Sequence, residues 1–488
     1  MHSFILILLL LLPVTVSADD VRRPLNENHT EFLGFLKQVK LVFESEAQPL
    51  KKQRRSHTRF ENMIEQAYLS GLDLRDITIK ERSIFAALHL SSTQSLPKQM
   101  GHVARIMHNH AGKTIEEFVL QIYNQGVKGQ QIALIRKDFE NALLRHHGSS
   151  AEIMRHVRIV ETDKHPNRRV TDNADRKNIL RFIFVPKHFN FTFHNQISPA
   201  TGSKDLLYRS DVILGSGETY YRGDRSLKLP FQKKRLRFHD VTYHNNLGLR
   251  LKLKNNLTSM RSDIRFPGNN PIRGDVDVFA FQQQMLDHWV TGVSYNKDNI
   301  HHLMQAGYLD EQFFGVQSEM LYRPYKPNYA LGFESSYAMK RDPFTFLGMS
   351  LTGDQSWTAF ASAHYDLPKY NMRTSLRLGR YLDKDWGGTL SFKKEIEAGA
   401  YMEGFATLTN RHDIDNFGDP NNFHTGLRIS LPLYQLLRPI KVNSQFISEY
   451  KEFGRDTGQF IDAPLNLVDI MDKLDRGHLE TYWNRILE

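Results

Sequence analysis

Charged side chains occur in the middle of segments whose remaining residues alternate between apolar and polar types. Because successive side chains of a strand point to opposite faces, these charged residues share one polar face. If that face borders a water-filled interior, its arginines could guide a glycan that carries uronate or phosphate groups. The alternative is a ladder of charges that braces the wall. The candidate ligand-binding residues of this kind are Glu319, Arg323, Arg341, Arg377 and Arg380.

The segment from Tyr381 to Thr389 supplies three further candidates for ligand binding. Its sequence, Tyr-Leu-Asp-Lys-Asp-Trp-Gly-Gly-Thr, predicts a strand, a tight turn and a second strand, with glycine adopting the positive φ. In one interpretation Trp386 stacks on a sugar ring while Asp383 and Asp385 accept hydrogen bonds from its hydroxyl groups. In the other, the turn fixes the register of a hairpin and contacts no ligand.

The sequence offers little support for catalysis or metal binding. The chain contains no cysteine, which excludes disulfides, thiolate zinc sites and a thiol nucleophile. Adjacent histidines such as His301-His302 are poor metal ligands, because neighbouring side chains of a strand point apart. The sequence matches no phosphate-binding loop, dinucleotide fingerprint, zincin helix or nucleophile elbow. We therefore expect no catalytic residue, no metal and no cofactor, although a glycosidase carboxylate pair is a spatial arrangement that sequence spacing does not reveal.

The charge balance favours polyanionic partners. The 488 residues include 64 lysines and arginines against 54 aspartates and glutamates, a formal net charge of +10. Nucleic acid, phosphorylated lipid headgroups and acidic polysaccharide all suit such a chain. A modest excess spread over a long chain is also compatible with no specific polyanionic partner.

The N-terminal residues predict export. Phe4 to Leu12 form an unbroken apolar run, and Val16-Ser17-Ala18 offers small residues for cleavage, so residues 1–18 are a predicted signal peptide. The lack of cysteine after this site predicts no lipoprotein anchor. Since no later run reaches roughly 18 apolar residues, any membrane-spanning part must consist of strands. An exported protein would meet acidic polysaccharide and outer-membrane lipid, and we expect no nucleic acid partner.

Residues 19–160 are predicted to form a helical segment followed by a small α+β domain. Apolar residues at helical spacing predict helices over Phe32–Phe43 and Phe60–Tyr68. The basic stretch Lys51–Arg55 is either a solvated linker or a contact for anionic glycan or lipid. The polar residues 161–178 are a predicted linker. The elements predicted between these segments are strands at Leu74–Ile79, Ile84–Leu90 and Phe118–Tyr123, and helices at Pro97–Met107 and Asp138–Leu144.

A two-residue period dominates residues 179–450. A soluble sandwich with its apolar face inside and a membrane barrel with its apolar face outside both produce this pattern. Aromatic residues at both ends of one face, such as Tyr329 and Tyr337, favour the membrane barrel, and so do charged residues in mid-strand that a soluble core would bury. We predict a mostly β protein, an outer-membrane antiparallel β-barrel of about 14–18 strands with an N-terminal periplasmic α+β domain.

The last residues follow the predicted barrel. Residues 451–488 are expected to be a C-terminal tail that hangs in the periplasm, with a charged helix over its later part. Simple barrels commonly end on a strand with a terminal aromatic residue, whereas this chain ends Trp483-Asn484-Arg485-Ile486-Leu487-Glu488.

Short blocks of sequence follow one another in a set order along the second half of the chain. They are Met260–Ile264, Ala306–Val316, Ser318–Pro324, Lys340–Asp342, Gly379–Thr389, Gly404–Asn410, Phe417–Gly418, Gly426–Pro432 and Gly454–Gln459. Through these blocks the chain resembles the YjbH family of outer-membrane proteins, which accompany production of exopolysaccharide and group 4 capsule. The resemblance spans roughly residues 60–460 and also includes Ile132–Asp138. It implies a role in polysaccharide secretion or surface modification, together with partner proteins of the secretion machinery, and it supplies no catalytic residues.

Three functions from different classes fit these observations. The first is a non-enzymatic outer-membrane component of exopolysaccharide or capsule secretion or surface assembly. The second is a barrel enzyme that modifies glycan or lipid A, which would need acidic, histidine or serine side chains converging at one mouth of the barrel. The third is a general porin or adhesin, for which the α+β domain would be unnecessary.

Overall fold

The computed structural model describes most of the chain from residue 59 onward. The signal peptide, the helix over Phe32–Phe43, the basic stretch Lys51–Arg55 and the linker 161–178 were predicted from sequence and lie outside the described residues. The described ranges are 59–70, 72–90, 94–144, 149–160, 188–199, 206–228, 235–257, 273–297, 299–324, 328–396, 399–414, 420–433, 442–455 and 457–488.

The first structural unit is a small α/β domain. Its five strands form one sheet in chain order, in which only the second and third strands pair in parallel. The elements predicted within residues 60–144 are present, and the structure adds the strands Val127–Ile135 and Arg158–Val160 and the helix Ser150–His156. The elements are α1 (Arg59–Leu69), β1 (Asp73–Lys80), β2 (Ser83–His89), α2 (Leu96–His110), β3 (Glu117–Asn124), β4 (Val127–Ile135), α3 (Arg136–Leu144), α4 (Ser150–His156) and β5 (Arg158–Val160).

The core of this domain forms where the apolar stripe of α2 meets the sheet. Val103 and Met107 lie one helical turn apart on α2 and are fully buried, as are Phe118, Leu120 and Ile122 on the inner face of β3. The turn between β3 and β4 is a two-residue hairpin turn in which both residues have positive φ, as the tight primed turns require. The sequence pattern therefore specifies both the packing and the connection.

The second unit is a closed barrel of thirteen strands among the described residues. Neighbouring strands are antiparallel except β18 and β6, whose parallel pairing closes the ring. The strands are β6 (His188–Pro199), β7 (Leu206–Lys228), β8 (Arg235–Asn255), β9 (Gln284–Lys297), β10 (Ile300–Tyr308), β11 (Phe313–Tyr322), β12 (Tyr329–Arg341), β13 (Leu351–Leu367), β14 (Met372–Arg380), β15 (Trp386–Glu395), β16 (Tyr401–Ile414), β17 (Pro420–Pro432) and β18 (Val442–Tyr450).

The predicted fold class, a mostly β barrel protein with an N-terminal α+β domain, is confirmed. The expected range of 14–18 strands was too high for the part of the chain that the structure describes. The physical reason is strand length, because β7 and β8 contain 23 and 21 residues and each spans a stretch long enough for two ordinary strands.

The barrel exposes its apolar face outward. On β12, Tyr329, Phe333 and Tyr337 are exposed while Glu334 and Ser336, which alternate with them, are buried inside the ring. On β13, Trp357 and Tyr365 are likewise exposed. This is the reverse of a soluble barrel, where the apolar residues would fill the interior.

The C-terminal residues lie inside the barrel. This segment contains α6 (Leu467–Asp472), α7 (Arg476–Thr481) and a 3₁₀ helix (Trp483–Leu487). The tail was expected to hang free, but its backbone is bound by inward-facing side chains of β10 and β11, and its carboxylates by those of β15 and β17. Strands on different sides of the barrel contact one segment, so residues 457–475, here called the lumen segment, run through the interior. The segment is held there because its charges meet opposite charges on the wall.

The two ends of the barrel carry different elements. The α/β domain sits at the end where β6 begins, called here the domain mouth, where Thr242 Oγ1 donates to the carbonyl oxygen of Gly126 at 2.9 Å and Lys128 pairs with Asp240. The opposite end, called the far mouth, carries helix α5 (Val276–Phe281) and the 3₁₀ helix Phe346–Gly348. A further 3₁₀ helix, Pro368–Tyr370, lies at the domain mouth beside α7.

Candidate functional site in the barrel lumen

A row of charged residues crosses five neighbouring strands on the inner wall. Arg373 of β14 lies directly opposite Lys393 of β15, which lies opposite Glu403 of β16. The row continues because Glu403 faces Arg428 of β17, and Arg428 faces Glu449 of β18. Directly opposed residues of antiparallel strands have side chains close enough to interact. Asp366 of β13 lies opposite Arg373 and extends the row to the domain mouth. These residues, Asp366, Arg373, Lys393, Glu403, Arg428 and Glu449, are called the charged row.

The lumen segment pairs its carboxylates with the basic members of this row. Near the far mouth, Arg428 Nη2 donates to Asp462 Oδ2 at 2.6 Å. In the middle, Lys393 Nζ donates to Asp469 Oδ1 at 2.8 Å. The acidic side of the segment therefore follows the basic wall.

The same pattern continues toward the domain mouth. Arg373 Nη2 donates to Asp472 Oδ1 at 2.5 Å. Arg323, at the end of β11, donates through Nη2 to Asp475 Oδ2 at 2.9 Å and to Asp366 Oδ2 at 2.7 Å. Charge-assisted hydrogen bonds of this kind are stronger than neutral ones, and four of them act along one segment.

The opposite side of the lumen segment is apolar. Ile461, Ala463, Leu465 and Leu467 alternate along the extended part of the segment and are buried. They belong to one hydrophobic cluster with wall residues on the other side, such as Leu303. The same cluster continues into the α/β domain, so the lumen and the domain share one core. The segment is thus amphipathic, with an apolar side and an acidic side.

Water reaches the acidic side of the segment. The side chains of Asp469 and Asp462 are 63% and 56% exposed, although both are bound to the inner wall. The lumen is therefore occupied by the segment without being filled by it.

The end of the chain is fixed to the α/β domain. Trp483 Nε1 donates to the carbonyl oxygen of Ser150, and Lys98 pairs with Glu488 at 3.1 Å. A Cβ atom added at Gly101 of α2 would lie 1.8 Å from the carbonyl oxygen of Ile486, so only glycine permits this approach. The domain therefore holds the end of the chain at the domain mouth.

A buried ion network lies near the far mouth. Arg209 binds Glu311 with two parallel hydrogen bonds and Asp211 with a third. Burial alone would raise the pKa of Glu311, but the Arg209 guanidinium holds that pKa below its usual range. Arg250 joins the network and also donates to the carbonyl oxygen of Phe279 in α5. These contacts fix α5 against the wall.

Three of the predicted ligand-binding residues face the lumen and contact the lumen segment. Glu319 accepts a hydrogen bond from the amide of Leu467 at 2.8 Å. Arg323 binds Asp475, and the Arg377 guanidinium lies 4.1 Å above the ring of Phe460. Arg377 Nη2 also lies 3.7 Å from Glu334 Oε2 on the wall. The structure brings Glu319, Arg323 and Arg377 together around one internal occupant.

Arg341 and Arg380 do not face the lumen as predicted. Arg341 is fully buried at the far mouth and donates to the carbonyl oxygens of Asp310, Leu347 and Gly348. Arg380 lies on the outward side of β14, where its guanidinium is 4.0 Å from the ring of the outward-facing Trp357. Arg380 has the same parity on β14 as the exposed Leu376 and Leu378, so the alternation of faces itself places it outward. Arg341 follows a register irregularity at the end of β12, where its side chain turns to the loop carbonyl oxygens.

The turn at Tyr381–Asp385 does not gather its three candidates into one sugar site. Asp385 is fully buried and accepts the Gly458 amide at 2.8 Å, which anchors the start of the lumen segment. Asp383 pairs with Arg411, and Trp386 is 55% exposed on the outward side. The positive φ of this turn belongs to Lys384, whereas the glycines after Trp386 lie within β15. A Cβ atom at Gly387 would lie 2.1 Å from the carbonyl oxygen of Leu408, so glycine at this position allows β15 and β16 to approach each other closely.

The basic members of the charged row were not among the residues predicted from sequence. Lys393 and Arg428 occupy inward positions next to the exposed Phe392 and Leu427. Arg373 is four residues before Arg377 and shares its face, which is the signal that could have identified it. Their common alignment depends on register between strands, which a single sequence does not give.

A small cavity lies between α7 and the barrel wall at the domain mouth. Its volume is about 60 Å³, and Arg373, Glu395, Asp472, His478 and Tyr482 contribute to its lining. Ligand pockets for small molecules are typically several times larger, so this cavity suits water rather than a sugar. No group of three or more potential metal-binding side chains is present among the residues that the structure describes. Within the same residues, no helix is both long and apolar enough to cross a membrane.

Fold and site together define a closed β-barrel with a charged inner wall, an internal C-terminal segment and an appended α/β domain. The model of the YjbH family, described as exopolysaccharide biosynthesis protein YbjH, matches residues 22–473. The chain belongs to this family. The family assignment supports a role in exopolysaccharide production.

Two individual proteins are similar to parts of the chain. The uncharacterized lipoprotein YjbH of Escherichia coli (strain K12) is 28% identical over 201 residues, which is 41% of this chain and 27% of that protein. The match therefore spans about a quarter of that relative's length. The structure of Salmonella typhi OmpF in complex with daunomycin aligns with a TM-score of 0.27 and 8% identity, covering 50% of this chain and 84% of OmpF.

Proposed function

We propose that this protein is a non-enzymatic outer-membrane component of exopolysaccharide or capsule secretion or surface assembly, and that its lumen receives acidic polysaccharide. The observation that carries the proposal is the distribution of side chains on the barrel. Apolar and aromatic residues face outward, while Arg373, Lys393 and Arg428 line the lumen. The first feature suits lipid and the second suits a polyanion.

The outward aromatic residues support a location in the outer membrane. Tyr329 and Tyr337 are exposed at the two ends of one strand face, with Phe333 midway between them. Eight residues of strand span about 26 Å, which is close to the height of the apolar band of outer-membrane barrels. Outer-membrane lipid is therefore the partner proposed for this surface.

The occupied lumen argues against a general porin. A porin needs a continuous water-filled channel, whereas here Leu465 and Leu467 of the lumen segment are bound to Gln305 and Glu319 of the wall. A barrel enzyme remains the alternative only if a mouth carries converging catalytic groups. The carboxylates of Glu319 and Asp385 are each engaged in binding the backbone of the lumen segment.

The α/β domain is the proposed contact for other secretion proteins. It closes the domain mouth and holds the end of the chain through Trp483 and Glu488. A partner that binds this domain would therefore act on the lumen from outside the membrane. Placement of the domain in the periplasm follows from the predicted signal peptide and stays a proposal.

Gene deletion with measurement of surface polysaccharide tests the proposed function. We expect deletion to lower the amount of surface glycan without changing its composition, and we expect the parent gene to restore it. Complementation with Arg373→Gln/Lys393→Gln should restore less glycan at equal barrel abundance. The control Lys394→Gln/Arg411→Gln, which removes two charges outside the charged row, should restore it fully. Normal amounts of glycan with altered composition would instead favour the enzyme.

A further inference from the structure

We infer that the arginines and the lysine of the charged row, with Arg323, form a binding track for acidic polysaccharide, and that the lumen segment is its built-in competitor. This inference rests on the proposed function and adds the location of the glycan site and the means of closing it. The acidic polymer and the segment cannot occupy the track together, so glycan entry requires that the segment leave the wall.

The wall holds its arginines in an orientation that suits carboxylates. Arg373 donates through Nε to Asp366 at 2.6 Å, which leaves the Nη edge of the guanidinium directed to the segment. Arg428 does the same, with Nε bound to Glu449 at 2.5 Å and Nη2 bound to Asp462. The wall carboxylates would thus keep both guanidinium groups in place after the segment leaves. A planar guanidinium edge matches a carboxylate, as found in uronic acids.

The track has unused donors in addition to those that bind the segment. Arg323 and Arg373 are more than nine-tenths buried, and Nη1 of each lacks a hydrogen-bond partner. These guanidinium donors have no protein acceptor, and a polymer with carboxylate and hydroxyl oxygens would supply one in place of water. This observation is independent of the pairs with the aspartates, and it points to a ligand with more acceptors than the segment provides.

The lumen segment imitates a polyanion in its charge pattern. Asp469, Asp472 and Asp475 recur every third residue, and each binds a different cation of the track. Asp462 binds the fourth cation near the far mouth. Two of these carboxylates are more than half exposed to the lumen, so each such ion pair is individually weak. A polymer with many charges can replace weak pairs one at a time.

The segment is attached at both ends, so it can leave the wall without leaving the protein. At the far mouth Asp385 binds the Gly458 amide, and at the domain mouth Arg105 of α2 donates to the carbonyl oxygen of Leu487. Both anchors lie outside the track. Displacement therefore concerns the middle of the segment, between residues 459 and 475.

Thiol labelling of the intact protein in detergent can follow the segment. The chain has no cysteine, so Ala463→Cys places one reporter on the buried apolar side of the segment. The probe is fluorescein-labelled polygalacturonate, with neutral dextran as the control polymer. We expect polygalacturonate to bind and to raise the labelling rate of Cys at this position several-fold, and we expect dextran to do neither.

Charge variants test the roles of the segment and of the track independently. Asp469→Asn/Asp472→Asn should tighten polygalacturonate binding roughly tenfold, because the competitor is weakened. The charge-matched control Asp354→Asn/Glu480→Gln, which alters exposed acids away from the track, should leave affinity unchanged. Arg373→Gln/Lys393→Gln should abolish binding. Heat-dependent migration on a gel verifies that each variant is folded.

Two negative results of the binding experiment would refute different parts of the proposal. In the first, polygalacturonate binds without raising the labelling rate of the Ala463→Cys reporter and with equal affinity for the parent and the Asp469→Asn/Asp472→Asn variant. That result refutes the competition, and the proposed function survives. If polygalacturonate binds neither the parent nor that variant, both the track and the proposed handling of acidic glycan are refuted.

Discussion

Arg341 is a buried charged residue whose loss should destabilise the barrel. Its buried guanidinium donates to three loop carbonyl oxygens, those of Asp310, Leu347 and Gly348, and covers the ring of Tyr308. Arg341→Ala would leave those acceptors buried without a donor, at an expected cost of about 3–5 kcal/mol in the free energy of unfolding. Urea unfolding in detergent measures this cost. Arg411→Ala, which breaks a half-exposed pair with Asp383, is the control and should cost less than about 1 kcal/mol. Equal costs for the two variants would refute the structural role.

Asp385 makes the anchor of the lumen segment sensitive to pH. Burial raises the pKa of this carboxyl above its ordinary value, even though it accepts the Gly458 amide. A carboxyl whose pKa is raised by folding favours the folded state below its ordinary pKa and loses that contribution as pH rises through the folded pKa. The Asp385→Asn variant keeps an acceptor oxygen for the Gly458 amide. Because its side-chain amide does not titrate, it removes this contribution to the pH dependence of stability.

The expected result for Asp385→Asn is therefore higher stability than the parent at neutral pH. The difference should shrink as the pH falls below the ordinary pKa of an aspartate, about 3.9, because the parent carboxyl then becomes protonated in both states. Urea unfolding at a series of pH values measures it. A variant that is less stable than the parent at neutral pH would contradict the assigned pKa direction.

Close backbone contact between elements should hold the end of the chain on the α/β domain. Gly101→Ala would place a methyl group against the carbonyl oxygen of Ile486, and overpacking of this kind costs about 1–3 kcal/mol. We expect the 3₁₀ helix Trp483–Leu487 to detach from α2, which proteolysis after Arg485 would reveal as faster cleavage. Gly404→Ala, whose added Cβ has its nearest neighbour at 4.0 Å, should leave the cleavage rate unchanged. Unchanged cleavage of both variants would refute the docking.

The elements of the α/β domain could be predicted because their signals are local. The apolar spacing of α2, its proline in the first turn and the apolar runs of β2 and β3 identify each element without reference to the rest of the chain. The candidate site depended on contacts that are not local. Glu319 and Arg377 were identified by alternation within their strands. The charged row required knowledge that Arg373 lies opposite Lys393, and its occupant required knowledge that the tail returns into the barrel.

For the whole molecule, the barrel could be predicted as a class, but its strand number and the pair of strands that closes it could not. The alternation on β12 and β13 indicated an apolar outer face, which the exposed aromatic residues confirm. The strand number could not be derived, because the long β7 and β8 resemble several shorter strands in sequence. Closure depends on the parallel pairing of β18 with β6, which are about 250 residues apart in sequence, and no local pattern marks such a pair.

The outward face should tolerate a charge poorly at its centre. Phe333 is exposed midway between Tyr329 and Tyr337, where the proposed membrane is driest. Phe333→Arg should make folding into bilayers less favourable by about 2–4 kcal/mol. Phe344→Arg, in an exposed loop at the far mouth, should cost no more than about 1 kcal/mol, since the proposed orientation puts this position at the surface of the membrane. Folding titrations in lipid vesicles measure both, and equal costs would argue against the proposed orientation in lipid.

We propose that the chain spans the membrane as a barrel whose lumen is occupied by its own C-terminal segment. Ion conductance of the purified protein in planar lipid bilayers tests this arrangement. We predict that the parent inserts with low conductance, and that Asp469→Asn/Asp472→Asn raises the conductance several-fold by loosening the segment from Lys393 and Arg373. A steady, porin-like conductance of the parent, unchanged in the variant, would contradict the account, as would failure of the parent to insert.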